Sequence, residues 1–210
     1  HILTFETNPK ENWTPKQIAE TKQKLAAENI KWDFLTYHKR LSVPATVFDI
    51  MNGARFAVKL NRKEKIDVFH GRAHFAALMG AMAKKFTGSK LLFDIRGFIP
   101  EEYTDAGIWK ENGLIYKSVK RVEKYLLNKS DAFVVLTERA AEILFPESKE
   151  TGSDAQGRPV EVIPCCIDGE RFKDAELLDK EELNAAEGLA GNNFFIYDGS
   201  FGGWYMTEEI

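Results

Sequence analysis

Short apolar runs alternate with helical stripes along this chain. Residues 2–5, 32–37, 66–69, 91–93, 132–136 and 160–164 are short, mainly apolar or β-branched runs, and the pattern predicts six strands. Between them the spacing changes to that of helices. Thr14-Pro15-Lys16-Gln17 reads as a helix start, with Thr at the N-cap, Pro at the first helical position and Gln three residues after the cap. That helix carries Ile18, Leu25 and Ala26 on one side and runs to about residue 29. Residues 44–60 repeat apolar positions at Val47, Ile50 or Met51, Ala54 and Val58. Residues 73–86 form a helix rich in Ala and Gly, suited to lie close against a sheet. Residues 109–128 form the longest helical pattern, with Ile115, Val119, Val122, Tyr125 and Leu126 on its apolar face. Thr137 reads as the N-cap of a short helix over 139–144, and 146–159 is a polar loop with turn residues throughout. Strand and helix signals that alternate in this way predict an α/β domain built on a doubly wound, mostly parallel sheet.

After residue 172 the character changes. Residues 173–192 are polar, charged and Ala-rich, and read as a linker with a short helix near 180–187. Residues 194–197 are a new apolar run that ends in Asp198-Gly199-Ser200-Phe201-Gly202-Gly203. A strand, a Gly-rich turn and a helix start read as the opening of a second domain over 193–210, with the first domain spanning 1–172.

Composition narrows the function classes. The net charge is −3 with both signs mixed along the chain, so no basic footprint for nucleic acid exists. No apolar run is long enough to span a membrane. The N-terminus opens on His1 with neither a basic leader region nor a cleavage site, which suggests processing or trimming. The two cysteines, Cys165 and Cys166, are adjacent; they make neither a disulfide framework nor a zinc site, fit a reducing compartment and read as small packing residues at a strand end.

The chemistry concentrates at strand ends. The stretch 90–102, KLLFDIRGFIPEE, runs from a buried strand straight into Asp94, Arg96, Gly97, Pro100, Glu101 and Glu102. His70 and Arg72 follow the third strand, and Thr137 and Glu138 follow the fifth. In a parallel sheet these groups share the crevice at the carboxyl edge, where α/β proteins bind ligands. Arginines there suit phosphates or carboxylates through bidentate contacts, and carboxylates suit sugar hydroxyls. The plainer alternative is strand-end ion pairing, for instance Asp94 with Arg96. His70 and His74 have helical i, i+4 spacing, but His70 precedes the helix, which argues against a metal pair. The dinucleotide fingerprint, the phosphate loop, the nucleophile elbow and the HExxH zinc motif are absent.

Taken in order, His70-Gly71-Arg72, the stretch from Asp94 to Glu102, KRVEKYLL at 120–127, DAFVVLTE at 131–138, VIPCCID at 162–168 and FIYDGS at 195–200 resemble the GT-B glycosyltransferases of family 4, the "glycosyl transferases group 1" superfamily. The resemblance covers nearly the whole chain. It implies two Rossmann-like domains facing a cleft, with the acceptor held mainly by the first and a nucleotide-sugar donor mainly by the second. It further implies transfer of a hexose to a saccharide or lipid-linked acceptor with retained anomeric configuration, without a metal or other cofactor. By position His70 matches the polar residue beside the transferred sugar and is the candidate catalytic residue. Arg72, Arg96, Glu101 and Glu102 would face the acceptor, and Gly199, Ser200 and Gly202 the donor diphosphate. The family is cytoplasmic or peripheral at the inner face of a membrane.

Two stretches depart from the family pattern. Ser200 and the segment from Gly202 to Tyr205 stand where an arginine and a lysine are common, and Glu6-Thr7-Asn8-Pro9 stands where a glycine pair often follows the first strand. With the donor half incomplete, the fragment itself is expected to be inactive. Two other readings fit the same strand ends: a non-catalytic ligand-binding or regulatory module, and a sugar-nucleotide epimerase.

Overall fold

A computed structural model describes residues 1–38 and 42–172. The order of elements is β1 (Ile2–Thr7), α1 (Pro9–Asn12), α2 (Pro15–Ala27), β2 (Trp32–Tyr37), α3 (Ser42–Glu64), β3 (Val68–Arg72), α4 (Ala73–Thr87), β4 (Lys90–Ile95), α5 (Ile99–Asp105), α6 (Leu114–Lys129), β5 (Ala132–Val135), α7 (Glu138–Leu144), α8 (Ser148–Thr151), β6 (Val160–Val162) and a closing 3₁₀ turn, Gly169–Phe172. Every strand pairing is parallel. The domain is α/β, as the alternation predicts. Among the described residues no helix is long and apolar enough to cross a membrane. The expected linker and second-domain opening, and with them Gly199, Ser200 and Gly202, lie outside the described residues.

Local chemistry accounts for the helix ends. The Thr14 hydroxyl accepts from the Gln17 amide at 3.2 Å while the Gln17 side chain accepts from the Thr14 amide at 2.9 Å, and Pro15 occupies the first helical position. The Thr137 hydroxyl accepts from the Ala140 amide at 3.1 Å and starts α7. Gly88, at φ 74°, terminates α4 by donating its amide to the Lys84 carbonyl.

The core lies between β3–β6 and the helices α4 and α6. Leu91 and Phe93 of β4, Phe133 and Val135 of β5 and Leu126 of α6 are essentially inaccessible to water. Small residues let α4 approach: Ala77, Ala81 and Ala83 are buried, and a Cβ on Gly80 would come within 2.8 Å of Leu91 Cδ1. Asp131 ties this core together at the amino edge. Its Oδ2 accepts from Lys84 of α4 at 2.5 Å and from the Leu91 amide at 2.7 Å.

The sheet differs from the single doubly wound sheet expected. β1 pairs with β2, and β3 to β6 form a separate four-stranded sheet in sequence order. No ladder joins β1 to β3; Leu3, Phe5 and Phe69 line a shared cavity instead. Residues 99–105 form a helix, closed by stacking of Tyr103 on Trp109 with ring centroids 4.5 Å apart. Two further expectations need correction. Ile115 on α6 and Val47 on α3 are exposed, while Ile50 and Ala54 of the predicted α3 stripe and Leu126 of the α6 stripe are buried, with Val122 and Tyr125 packed against the core. Cys165 and Cys166 are both exposed, because β6 ends at Val162 before the chain reaches them.

Candidate functional site

The geometry of β3 sets the site. Gly71 faces α4 so closely that a Cβ there would collide with the backbone of Ala77. Alternation along the strand therefore sends His70 and Arg72 to the opposite side. In the next strand Leu91 and Phe93 turn toward the helices, so Asp94 falls on the same side as His70 and Arg72. The parallel register sets Arg72 opposite Asp94. His70 and Arg72 are thus the last residues of β3 itself, not a loop after it.

At this edge Asp94 is the hub. It is only 5% exposed, its Oδ2 lies 3.3 Å from His70 Nε2, and its Oδ1 lies 3.6 Å from Arg96 Nη1. Oδ1 has no hydrogen bond among the described residues. Arg96 also reaches Cys165, with Nη2 3.7 Å from the sulfur, which links the segment after β6 to the residue that faces Asp94. The His70 side chain is 56% exposed, which leaves its ring reachable by a ligand while Asp94 fixes its orientation. Arg72 is exposed and has no ion-pair partner among the described residues.

Glu101 and Glu102 are placed otherwise than the strand-end reading expects. Both lie in the first turn of α5, where carboxylates favour a helix start. Glu102 Oε1 accepts from the Phe98 amide at 3.0 Å and so caps its own helix. Glu101 Oε1 takes the Lys120 ammonium at 2.9 Å and the Tyr116 hydroxyl at 3.3 Å, binding α5 to α6. Neither joins the His70, Asp94 and Arg96 cluster.

That link continues into a second polar network, which the sequence reading missed. Lys120 also meets Glu123 Oε1 at 2.5 Å, and Glu123 Oε2 lies 3.2 Å from Nε2 of His74, a side chain just 1% exposed. The Nδ1 of His74 has no hydrogen-bond partner among the described residues. Burial pushes the Glu123 carboxyl up and is the largest single influence, but the His74 and Lys120 hydrogen bonds together outweigh it and hold the group below its ordinary value. Burial likewise works against the Lys120 ammonium, and its bonds to Glu123 and Glu101 raise it regardless. The Tyr116 phenol is raised, first by burial and then by the Glu101 charge. Lys120, Glu123 and Tyr116 stand at helical spacing on α6, yet nothing in that spacing points to His74 on another helix.

A cavity of about 770 Å³ lies between β1 and β3. Helices α3 and α4 form its other walls through residues such as Phe56, Ala57, Ala76 and Met79. The strands number outward from it on both sides, β1 to β2 and β3 to β6. Strand order therefore reverses at this cavity, the place where open α/β sheets bind ligands. His70 and Arg72 belong to its lining and to the Asp94 cluster alike. Thr46, Asp49 and Tyr37 complete the same end, and Asp49 is already engaged, accepting from the His38 amide at 2.9 Å and from its ring at 2.6 Å.

The arrangement offers an oriented imidazole, a buried carboxylate behind it and two guanidinium groups at one sheet edge. Such a set can bind an anionic or polyhydroxylated ligand and can accept or deliver a proton at His70. Neither a family model nor a curated protein matches the chain.

Proposed function

We propose that this chain is the acceptor-side domain of a GT-B glycosyltransferase of family 4, followed at 193–210 by the start of a donor-binding domain. One observation carries the reading: His70, Asp94 and Arg96 meet at the carboxyl edge of a parallel α/β sheet, where the resembling motifs would put the acceptor and the transferred sugar. The activity is transfer of a hexose from a nucleotide sugar to a saccharide or lipid-linked acceptor, at the cytoplasmic side of the cell. His70 contributes a hydrogen bond to the sugar in flight, Asp94 orients His70, and Arg96 and Arg72 fix the acceptor. Positioning and electrostatic stabilisation of the departing diphosphate supply the rate enhancement. Glu101 and Glu102 are reassigned from acceptor contact to holding α5 in place.

The test is donor turnover and nucleotide binding over a panel of UDP-, GDP- and ADP-sugars, measured on this chain and on a longer protein that contains it. Turnover by the longer protein, lost by about 100-fold or more in His70→Ala with nucleotide affinity retained, supports the reading. A folded longer protein that neither binds nor turns over any of these donors overturns it and leaves a ligand-binding module in its place.

A further inference from the structure

We propose that the cavity between β1 and β3 is a binding site for a single-tailed amphiphile with an anionic head, the tail lying between the strands and the head on Arg72. The volume of about 770 Å³ falls inside the range of roughly 300–1,000 Å³ typical of small-molecule sites. All of β3, Val68–Arg72, borders it, so its lining follows the strand over roughly 15 Å at about 3.3 Å per residue. Its middle is apolar, built from Leu3, Phe5, Phe56, Leu60, Phe69 and Met79. The walls are set by close packing: a Cβ on Gly53 of α3 would lie 2.5 Å from Met79 Sδ and 3.0 Å from the Phe5 ring. A purely polar ligand would leave that apolar interior unused.

Arg72 marks the end that takes the head. At the carboxyl end the Asp49 carboxylate is hydrogen-bonded by His38 and the Asp94 carboxylate lies beside His70 and Arg96, while Arg72 has no ion-pair partner among the described residues. At the other end Lys65 and Asp67 contribute one charge of each sign, and His1 is paired with Asp33 at 2.8 Å. A guanidinium without an ion-pair partner among the described residues, at the mouth of an apolar slot, suits a phosphate or carboxylate carried on a hydrocarbon tail. Applied to the proposed transferase, an extension that rests on that reading, this makes the acceptor an amphiphile instead of a free saccharide. Binding itself requires neither donor nor transfer.

The experiment is calorimetric titration of the 210-residue chain with hexyl, octyl and decyl phosphate below their micellar concentrations, with inorganic phosphate as head and octanol as tail. One site per chain is expected, with affinity rising about three- to fourfold for each added methylene and inorganic phosphate far weaker than any ester. Arg72→Gln should weaken the esters about tenfold without changing the dependence on chain length. Ala76→Phe, which fills the slot, should abolish binding, and Ala57→Leu on the opposite wall should weaken it. Affinity independent of tail length, or binding undisturbed in folded Ala76→Phe and Ala57→Leu proteins, overturns the proposal. If both filling variants fail to fold, the tail-length series and Arg72→Gln decide it alone. Donor turnover by a longer protein without amphiphile binding refutes this site and spares the transferase; amphiphile binding without turnover does the reverse.

Discussion

Asp94 holds His70 from beneath: the carboxylate is buried at the end of β4, and its Oδ2 sits 3.3 Å from Nε2 of the half-exposed ring at the end of β3. The same carboxylate faces Arg96 at 3.6 Å. Removing it should strand Arg96 and release His70. Asp94→Ala is expected to cost about 1–3 kcal/mol of stability, because a charge loses its partner. Asp94→Asn keeps the shape and one oxygen and should cost less. Urea midpoints for both variants check the order, and an alanine variant as stable as the native chain would show that the carboxylate does not organise this edge.

The Glu123 network gives the fold a response to acid. Burial raises the Glu123 carboxyl, yet its bonds from His74 and Lys120 leave it below the ordinary 4.5 in the folded chain. A group depressed on folding contributes stability that is present above its unfolded value and is lost as pH falls through the folded value. The native chain should therefore lose melting temperature as pH drops below about 4.5. Asp131 and Asp154, also held low, add to that slope. Glu123→Gln should be less stable at neutral pH and show a shallower fall over the same acid range. Parallel melting curves for the two proteins would exclude Glu123 from the acid response.

Signals confined to a few residues were legible in the sequence. The Thr14-Pro15-Lys16-Gln17 start and the Thr137 cap are closed within one turn, so spacing alone reveals them. The run Pro100-Glu101-Glu102 carried two meanings at once. A proline and two acids in a first turn are a helix start as much as a ligand site, and the structure builds α5 from them. What the sequence could not carry is long-range packing. The cavity needs residues 1–5 set against 46–80, and the His74 to Glu123 contact joins positions 49 apart. The helical stripes on α3 and α6 gave the period and most of the inward face, Ile50, Ala54 and Leu126 among them, but not where each stripe stops: Val47 and Ile115, near the starts of the two helices, are exposed.

Gly71 and Gly97 should respond differently to alanine. At Gly71 the new methyl would meet the backbone and Cβ of Ala77, which cannot move without shifting α4 off the sheet. Overpacking against backbone of this kind costs about 1–3 kcal/mol, and the loss should appear in chemical unfolding. At Gly97 the methyl would meet the Glu102 carboxylate, the free end of a side chain, which can swing away at the expense of its bond to the Phe98 amide. Gly97→Ala should therefore cost less than Gly71→Ala. Equal losses would mean that the α5 cap is as rigid as the contact between α4 and the sheet.

Asp154 pins the polar loop before β6, and its removal should loosen that edge of the sheet. One oxygen accepts from the amides of Gln156 at 3.0 Å and Arg158 at 2.8 Å, and the other takes the Arg158 guanidinium through Nε at 2.8 Å and Nη2 at 2.5 Å. The positioned Arg158 then lies over the Phe133 ring at 4.8 Å and donates to the Ser130 carbonyl at 3.0 Å. One buried carboxylate thus connects the loop, the start of β5 and the core. Asp154→Ala leaves the two amides and the guanidinium without their acceptor, at a cost of about 2–4 kcal/mol. Asp154→Asn retains an acceptor for the amides and should fall between the two. Hydrogen exchange locates the effect: faster exchange is expected at Phe133 and Val160, whose amides donate to Pro159 and Gly152, while Leu91 of β4, whose amide is held by Asp131 and not by the loop, stays protected. Uniform acceleration across all three amides would point to global destabilisation and refute a local role for the loop.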